Sequence, residues 1–367
     1  MDLTKEFGIE TPIIQAPMAG VSTPALAAAV SNAGALGSLS VGAMTVEEAG
    51  SAIREIRAKT NRPFNINVFC HESPAANFEI ESEWLKTLTT FFESFGHAPP
   101  NELKEIYSSF NQNQAMLELF LEERPQIISF HFGLPSAEYV AALKKAGIIL
   151  IASATNLDEA KLVETAGLTA VIAQGYEAGG HRGIFNPQAH DDQLGTLALT
   201  RLLVNEIDLP VIAAGGIMDG AGIAAILALG AQAAQLGTAF VSCPESAAAA
   251  EYKRLLRSEA AQHTVMTRVI SGRPARGLPN RLTALESAAN LPPIPSYPVT
   301  YDATKTLDAI ARAQGSEDFA TRWAGQSAFL SREMPAGELV KVLKQEIAVT
   351  LRRLSDSSQV LDSSDAI

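Results

Sequence analysis

At 367 residues, 47% hydrophobic and 19% charged, the chain can bury a large core and is too apolar to be a disordered segment. A formal net charge of -12 argues against general binding to nucleic acid or to an anionic membrane, which need a basic face. Cys70 and Cys243, the only two cysteines, cannot supply a disulfide framework, and the start Met1-Asp-Leu-Thr-Lys-Glu-Phe7 lacks the basic-then-apolar order of a secretory signal.

Ile13–Met18 reads as a short strand ending in a turn. Ser22-Thr23-Pro24 then offers a helix N-cap with proline in the first turn, and Gly34 stops that helix. A second strand follows at Leu36–Leu39. Thr45-Val-Glu-Glu48 is a capping box opening a helix to about Lys59. Phe64–Phe69 is the third strand. The rhythm then breaks: Cys70 to about Pro125 is more polar and helical in character, with Phe91, Phe92, Phe95, Met116, Leu117 and Phe120 at helical spacing. This segment is expected to be an insertion packed as a cap. Strand and helix signals resume with strands at Gln126–His131, Ile148–Ala152, Ala170–Gln174, Pro210–Ala214 and Ala233–Gly237.

Short apolar strands alternating with capped helices imply parallel pairing with right-handed crossovers. Eight such units point to a (β/α)8 TIM barrel, with an open doubly wound sheet as the alternative. The expected division is a barrel from residues 1–69 and 127–239, onto which C-terminal helices at about 316–354 pack. The insertion at 70–126 and the segment 240–315 form a helical cap, and the Ser/Asp-rich residues 355–367 form a frayed tail. Within 240–315 a helix is expected over Ser246–Ala261, and loops at Ser271–Gly277 and the proline-rich Pro292–Pro298. The most apolar helix-like stretch, Ala221–Ala234, is too short and too interrupted by glycine to span a bilayer. A cytoplasmic protein is expected, as a monomer or a homodimer.

Barrel active sites form at the C-terminal strand ends. The sixth strand runs into Gly175-Tyr-Glu-Ala-Gly-Gly-His-Arg-Gly183, where four glycines surround His181 and Arg182. Glycine lets backbone approach a ligand closely, and histidine can move a proton near neutral pH. Gly215-Gly216 and Gly237-Thr238 stand after the seventh and eighth strands, the usual place for a phosphate cradle. Met18, Asn67, His131, Gln174 and Gln235 sit at other strand ends. A loop histidine can also simply cap backbone carbonyls, but this glycine frame favours catalysis for His181, while His131 divides evenly between pocket wall and satisfied core. Cys70, His71 and Cys243 lack metal-ligand spacing, so no metal is expected.

Gln15-Ala-Pro-Met18, Asn67 within Phe64-Asn-Ile-Asn-Val-Phe69, Ala173–Gly183, Ala214-Gly-Gly-Ile217 and Gln235-Leu-Gly-Thr238 together resemble the nitronate monooxygenase family, formerly 2-nitropropane dioxygenase. Ser271-Gly-Arg-Pro-Ala-Arg-Gly277, Tyr297-Pro-Val-Thr-Tyr301 with Lys305, and Trp323-Ala-Gly-Gln326 are similar to its class I branch. The resemblance implies a TIM barrel carrying FMN, held by Ala16, Met18, Asn67, Gln174, Gly179, Gly180, Gly215, Gly216, Gln235, Leu236, Gly237 and Thr238. It implies His181 as the catalytic residue, and Tyr107, His131, Tyr297, Tyr301 and Lys305 as pocket lining. The implied reaction oxidises alkyl nitronates, propionate 3-nitronate above all, with O2 to a carbonyl compound and nitrite, a detoxification. The rival reading is an NAD(P)H-dependent FMN oxidoreductase, an enoyl or quinone reductase, on the same barrel. No separate G-x-G-x-x-G fingerprint follows a strand. A flavin-binding protein without turnover is the remaining alternative, and the His181 loop argues against it.

Overall fold

The structure, a computed structural model, describes residues 2–364. Eight parallel strands form its centre: β1 (Ile13–Gln15), β2 (Gly37–Ser40), β3 (Phe64–Phe69), β4 (Ile127–His131), β5 (Ile149–Ala154), β6 (Ala170–Gln174), β7 (Val211–Ala214) and β8 (Ala233–Leu236). Each pairs in parallel with its sequence neighbour from β2 through β8, and β8 pairs with β1. The ring closes through a bridge between Ile14 and Leu36, where Leu36 N donates to Ile13 O at 3.0 Å and Gln15 N to Leu36 O at 2.9 Å. The fold is a (β/α)8 barrel.

Local chemistry explains the crossovers. Thr23 Oγ1 accepts the Leu26 N–H to cap the helix Pro24–Asn32, and Thr45 with Glu48 completes both halves of the capping box on Val46–Lys59. Ser136 and Asn156 cap the helices after β4 and β5 in the same way. Ile14, Leu36, Ile127, Ile151, Ile172 and Ile212 fill the barrel interior, and Leu3 and Phe7 of a short N-terminal helix join them. Burying such aliphatic side chains stabilises the fold by roughly 1.5–3 kcal/mol each.

The insertion after β3 is two things, not one cap. The helix Phe78–Glu93 buries Trp84, Leu85, Leu88 and Phe92 against Val269, Leu282, Tyr301, Leu307 and Phe319, which lie beyond the barrel. The helix Gln114–Glu123 instead packs Met116, Leu117 and Phe120 on Phe64, Ile66 and Ile128, so it is the crossover helix between β3 and β4. Both carry the same aromatic and aliphatic spacing, which reveals an apolar face but not its partner.

Other boundaries also shift. The helix expected over 246–261 is shorter, Ala250–Leu256, followed by a 3-10 turn at Glu259–Gln262. The expected loop at 271–277 ends as a strand, Ala275–Gly277. Tyr297–Pro298 is a cis peptide, and the helix Val299–Ala313 starts directly after it. The last helix runs Ala336–Ser364, past its expected end at 354, so the frayed tail expected from 355 is helical as far as Ser364. Residues 365–367 lie outside the described part. Ala336, Leu339, Val340, Leu343 and Ile347 of this helix pack with Leu26, Val30 and Ile223. Among the described residues no helix is long and apolar enough to cross a membrane.

Candidate active site

The loop after β6 is fixed from both sides. Gln174 Nε2 donates to the His181 carbonyl at 2.9 Å, and its Oε1 accepts the Gly183 N–H at 2.7 Å. Arg182 is 1% exposed and anchors the same loop: Nη1 donates to Gln174 O at 2.9 Å, while Nε and Nη2 form a fork on Asp191 at 3.0 and 2.9 Å. That pairing holds the Asp191 carboxyl below its usual range against its own partial burial. Arg182 is therefore a structural anchor, and the guanidinium-to-carboxylate fork explains why it can be buried. Gly183 has no room for a side chain, since a Cβ would stand 2.9 Å from both His131 Cε1 and Ser153 Oγ.

Gly180 and His181 pair antiparallel with Arg276 and Ala275, and Ala275–Gly277 pairs with Val265–Thr267. This small sheet holds His181 from the far side. Its Nε2 lies 2.9 Å from Ser271 Oγ, and its ring is packed among Phe132, Tyr297, Tyr301 and Trp323 with centroid separations of 5.3–5.8 Å. Burial first, and then His131 and Arg273, push its pKa down to about 3, so the ring is neutral around pH 7. His131 is likewise pushed down to about 4, chiefly by burial, and its Nδ1 lies 2.6 Å from Ser153 Oγ. Phe132, at φ 72, is a bulky residue in left-handed backbone, and Gly133 follows at φ 137. Arg273 lies 4.4 Å over the Phe132 ring and donates to Ile184 O at 2.7 Å.

His131, Phe132, His181, Tyr297, Tyr301 and Trp323 face a cavity of about 1080 Å³ at the C-terminal ends of the strands. Of the residues expected at the site, Ala16, Met18, Asn67, Tyr107, His131, Gln174, Gly179, Gly180, His181, Gly215, Gly216, Gln235, Gly237, Thr238, Tyr297, Tyr301 and Lys305 all line it. Leu236 does not. Its side chain is 1% exposed in the core and its carbonyl accepts the Ala16 N–H at 2.8 Å.

The cavity floor is built of glycines. Gly215 and Gly216 have φ 124 and 67, which strains any residue with a side chain. A Cβ on Gly179 would stand 2.5 Å from Gly325 N. Gly237 abuts Ala16 and Met18, with its Cβ position 3.5 Å and 3.8 Å from their nearest atoms. Among the described residues, the N–H groups of Gly216 and Gly237 donate to no protein acceptor. Thr238 Oγ1 accepts the Gly325 N–H at 3.0 Å, leaving its own proton to donate.

The three amide side chains are not equivalent. Asn67 Nδ2 donates to Ser129 O and Oγ at 3.1 and 3.0 Å, and its Oδ1 accepts from Ser40 at 3.1 Å. Gln174 is committed to the loop. Gln235 Oε1 is buried with no partner, which marks the place where a bound molecule would complete it.

At the mouth, Lys305 Nζ lies 4.9 Å over the Tyr107 ring and 5.6 Å over that of Tyr301, and Trp323 Nε1 donates to Tyr301 Oη at 3.1 Å. Among the described residues Lys305 makes no ion pair. Ser271, Arg273, Phe132 and Trp323 belong to this site and were not singled out individually. Ser271 and Arg273 lie in the Ser271–Gly277 motif and Trp323 in the Trp323–Gln326 motif, so the signal was present for three of them. Phe132 follows His131 directly and carries no motif of its own.

A family model described as nitronate monooxygenase matches residues 1–346. The chain is 59% identical to a nitronate monooxygenase of Paraburkholderia phytofirmans over 95% of both chains. It is 54% identical to a nitronate monooxygenase of Pseudomonas aeruginosa, over 94% of this chain and 98% of that one. Its structure superposes on that of nitroalkane oxidase from Streptomyces ansochromogenes with a TM-score of 0.88 at 39% identity, over 96% and 99% of the two chains. With its barrel, its glycine floor and its loop histidine, the chain belongs to the nitronate monooxygenase family.

Proposed function

We propose that this cavity binds FMN and that the chain oxidises alkyl nitronates with O2, giving a carbonyl compound and nitrite. The observation that carries the reading is a neutral, half-buried His181 opening onto the same cavity as a glycine floor with unused N–H groups. The residues fit a flavin mononucleotide. Gly215–Gly216 and Gly237–Thr238 would hold the phosphate, Gln235 would meet the polar ring edge, and Ala16 and Met18 would pack against the ring. Bound there, the flavin supplies the redox chemistry that the side chains lack.

The chain's own part is placement. The aromatic wall of Phe132, Tyr297, Tyr301 and Trp323 keeps water from the reacting carbon, and His181 handles the proton or the nitro oxygens. Lys305, held over two tyrosine rings without a carboxylate partner among the described residues, would offset a carboxylate on the substrate, which supports propionate 3-nitronate and a detoxifying role.

The test is to purify the protein, record its flavin spectrum and follow oxygen uptake with a nitronate and with NADH. Uptake with nitronate alone is expected. Bleaching of the flavin by NADH would instead make the chain a reductase, and a colourless protein that takes up no FMN would overturn both. His181→Asn should keep FMN and lose most turnover.

A further inference from the structure

We propose that Ser271 is a positioning residue that selects the tautomer of His181, presenting Nδ1 to the cavity as a lone pair and holding the proton on Nε2. The inference rests on the proposed nitronate chemistry for its purpose, but its geometry stands independently.

The argument is one of hydrogen-bond satisfaction. Ser271 is fully buried. Its hydroxyl has a single proton and two acceptors within reach, the Arg273 carbonyl at 3.1 Å and His181 Nε2 at 2.9 Å. The Arg273 carbonyl has no other donor among the described residues, while the Arg273 N–H already points to Ser271 Oγ at 3.3 Å. One arrangement satisfies every group: the hydroxyl donates to Arg273 O, and His181 Nε2–H donates to the hydroxyl oxygen. In the reverse arrangement Ser271 donates to Nε2 and the Arg273 carbonyl is left buried without a partner, which proteins avoid. The first arrangement therefore holds, and Nδ1, which has no hydrogen-bond partner among the described residues, is an acceptor.

This sets what the site can do to a neutral nitroalkane. The C–H bond next to the nitro group breaks, its proton moves to His181 Nδ1, and the electron pair stays on the substrate as the nitronate. The resulting imidazolium keeps its Nε2–H on Ser271, so no second proton transfer is needed. The other tautomer would turn an N–H toward that carbon and could accept nothing.

The experiment uses the flavin-loaded protein labelled with 15N-histidine and reads long-range 1H–15N correlations, with His181 assigned by the signal that disappears in His181→Asn. Wild type and Ser271→Thr should show the Nε2–H pattern, and Ser271→Ala should show a mixture or the Nδ1–H form. Ser271→Cys, whose thiol is a weak donor and acceptor, serves if the alanine variant fails to fold and should also lose the pure pattern. In turnover, kcat/KM for a neutral nitroalkane should fall at least tenfold in Ser271→Ala, while that for the preformed nitronate changes less than threefold. An Nδ1–H pattern in wild type, or an unchanged Nε2–H pattern in the variant, overturns the proposal, and equal losses with both substrates would make Ser271 merely structural. If wild type turns over neither substrate the proposed function fails, while the spectra still decide the tautomer.

Discussion

Gln174 and His181 are joined through the backbone: the Gln174 amide donates to the His181 carbonyl at 2.9 Å while its oxygen takes the N–H of Gly183 at 2.7 Å. The last residue of β6 thus closes its own loop like a clasp, and the imidazole is placed by a rigid strand rather than by the loop's glycines.

Replacing Gln174 with leucine leaves the buried Gly183 N–H unpaired, at about 1–3 kcal/mol, and takes one donor from the half-buried His181 carbonyl. Urea unfolding should show a loss of that order, and turnover should fall with it because the His181 ring loses its register. A variant that keeps both stability and rate would show that the clasp does not position the ring.

Gly179→Ala should fail for a different reason. The new methyl would stand 2.5 Å from Gly325 N and 2.6 Å from Ala324 C, backbone that cannot rotate away. Forcing it in is expected to cost about 1–3 kcal/mol and to shift the Gly325 segment that shares the floor. Retained flavin per protein, measured after gel filtration, should drop. Full flavin occupancy with unchanged stability would contradict the tight packing.

For Gln235→Leu, stability and binding should move in opposite directions. Its buried Oε1 has no protein partner, so removing it should leave the flavin-free protein as stable or up to about 1 kcal/mol more so. On the proposed FMN reading, the cofactor's affinity should weaken about tenfold, the worth of one hydrogen bond. Titration of the apoprotein with FMN checks this, and an unchanged affinity would place the flavin edge elsewhere.

His71 makes a pH prediction. It is 1% exposed, neither ring nitrogen makes a hydrogen bond of good geometry among the described residues beyond an approach to the Tyr107 backbone, Glu105 comes no nearer than 4.0 Å, and burial first, then Arg273, pushes its pKa down to about 4. A histidine lowered on folding binds fewer protons folded than unfolded, so its contribution is intact above about pH 6.5 and is lost as pH falls toward 4. His131 and His181 act with the same sign. His71→Leu removes one of the three, so relative to wild type the variant should gain about 2 kcal/mol on going from pH 8 to pH 5. Denaturation curves at the two pH values measure it, and an equal wild-type-to-variant difference at both would refute it.

The barrel was legible because its strands are short apolar runs cut off by a polar residue or glycine, and β3 and β6 fall on the expected residues. Caps such as Thr45 with Glu48 were equally readable, being local. What stayed hidden depends on partners far away in the chain. Met116, Leu117 and Phe120 look like the face of any amphipathic helix, and only the fold assigns them to the barrel rather than to the cap. Ala275–Gly277, preceded by Arg273-Pro274, has no strand signal of its own and is a strand because Gly180–His181 offers it an edge. The amide side chains were recognisable as polar groups at strand ends, but that Asn67 and Gln174 are already bonded to protein, and Gln235 not, is decided by neighbours in space.

The three-stranded sheet that braces His181 also imposes an order in time. A chain emerging from synthesis has every strand of the ring by Leu236, yet the edge that pairs with Gly180–His181 arrives only at Ala275–Gly277 and the Trp323 wall later still. Loop closure over that many residues delays such contacts relative to the local ones. A chain stopped shortly after the eighth strand would therefore hold every strand of the ring but lack both the edge and wall that place the imidazole and the Leu339, Val340 and Leu343 face that covers Leu26, Val30 and Ile223.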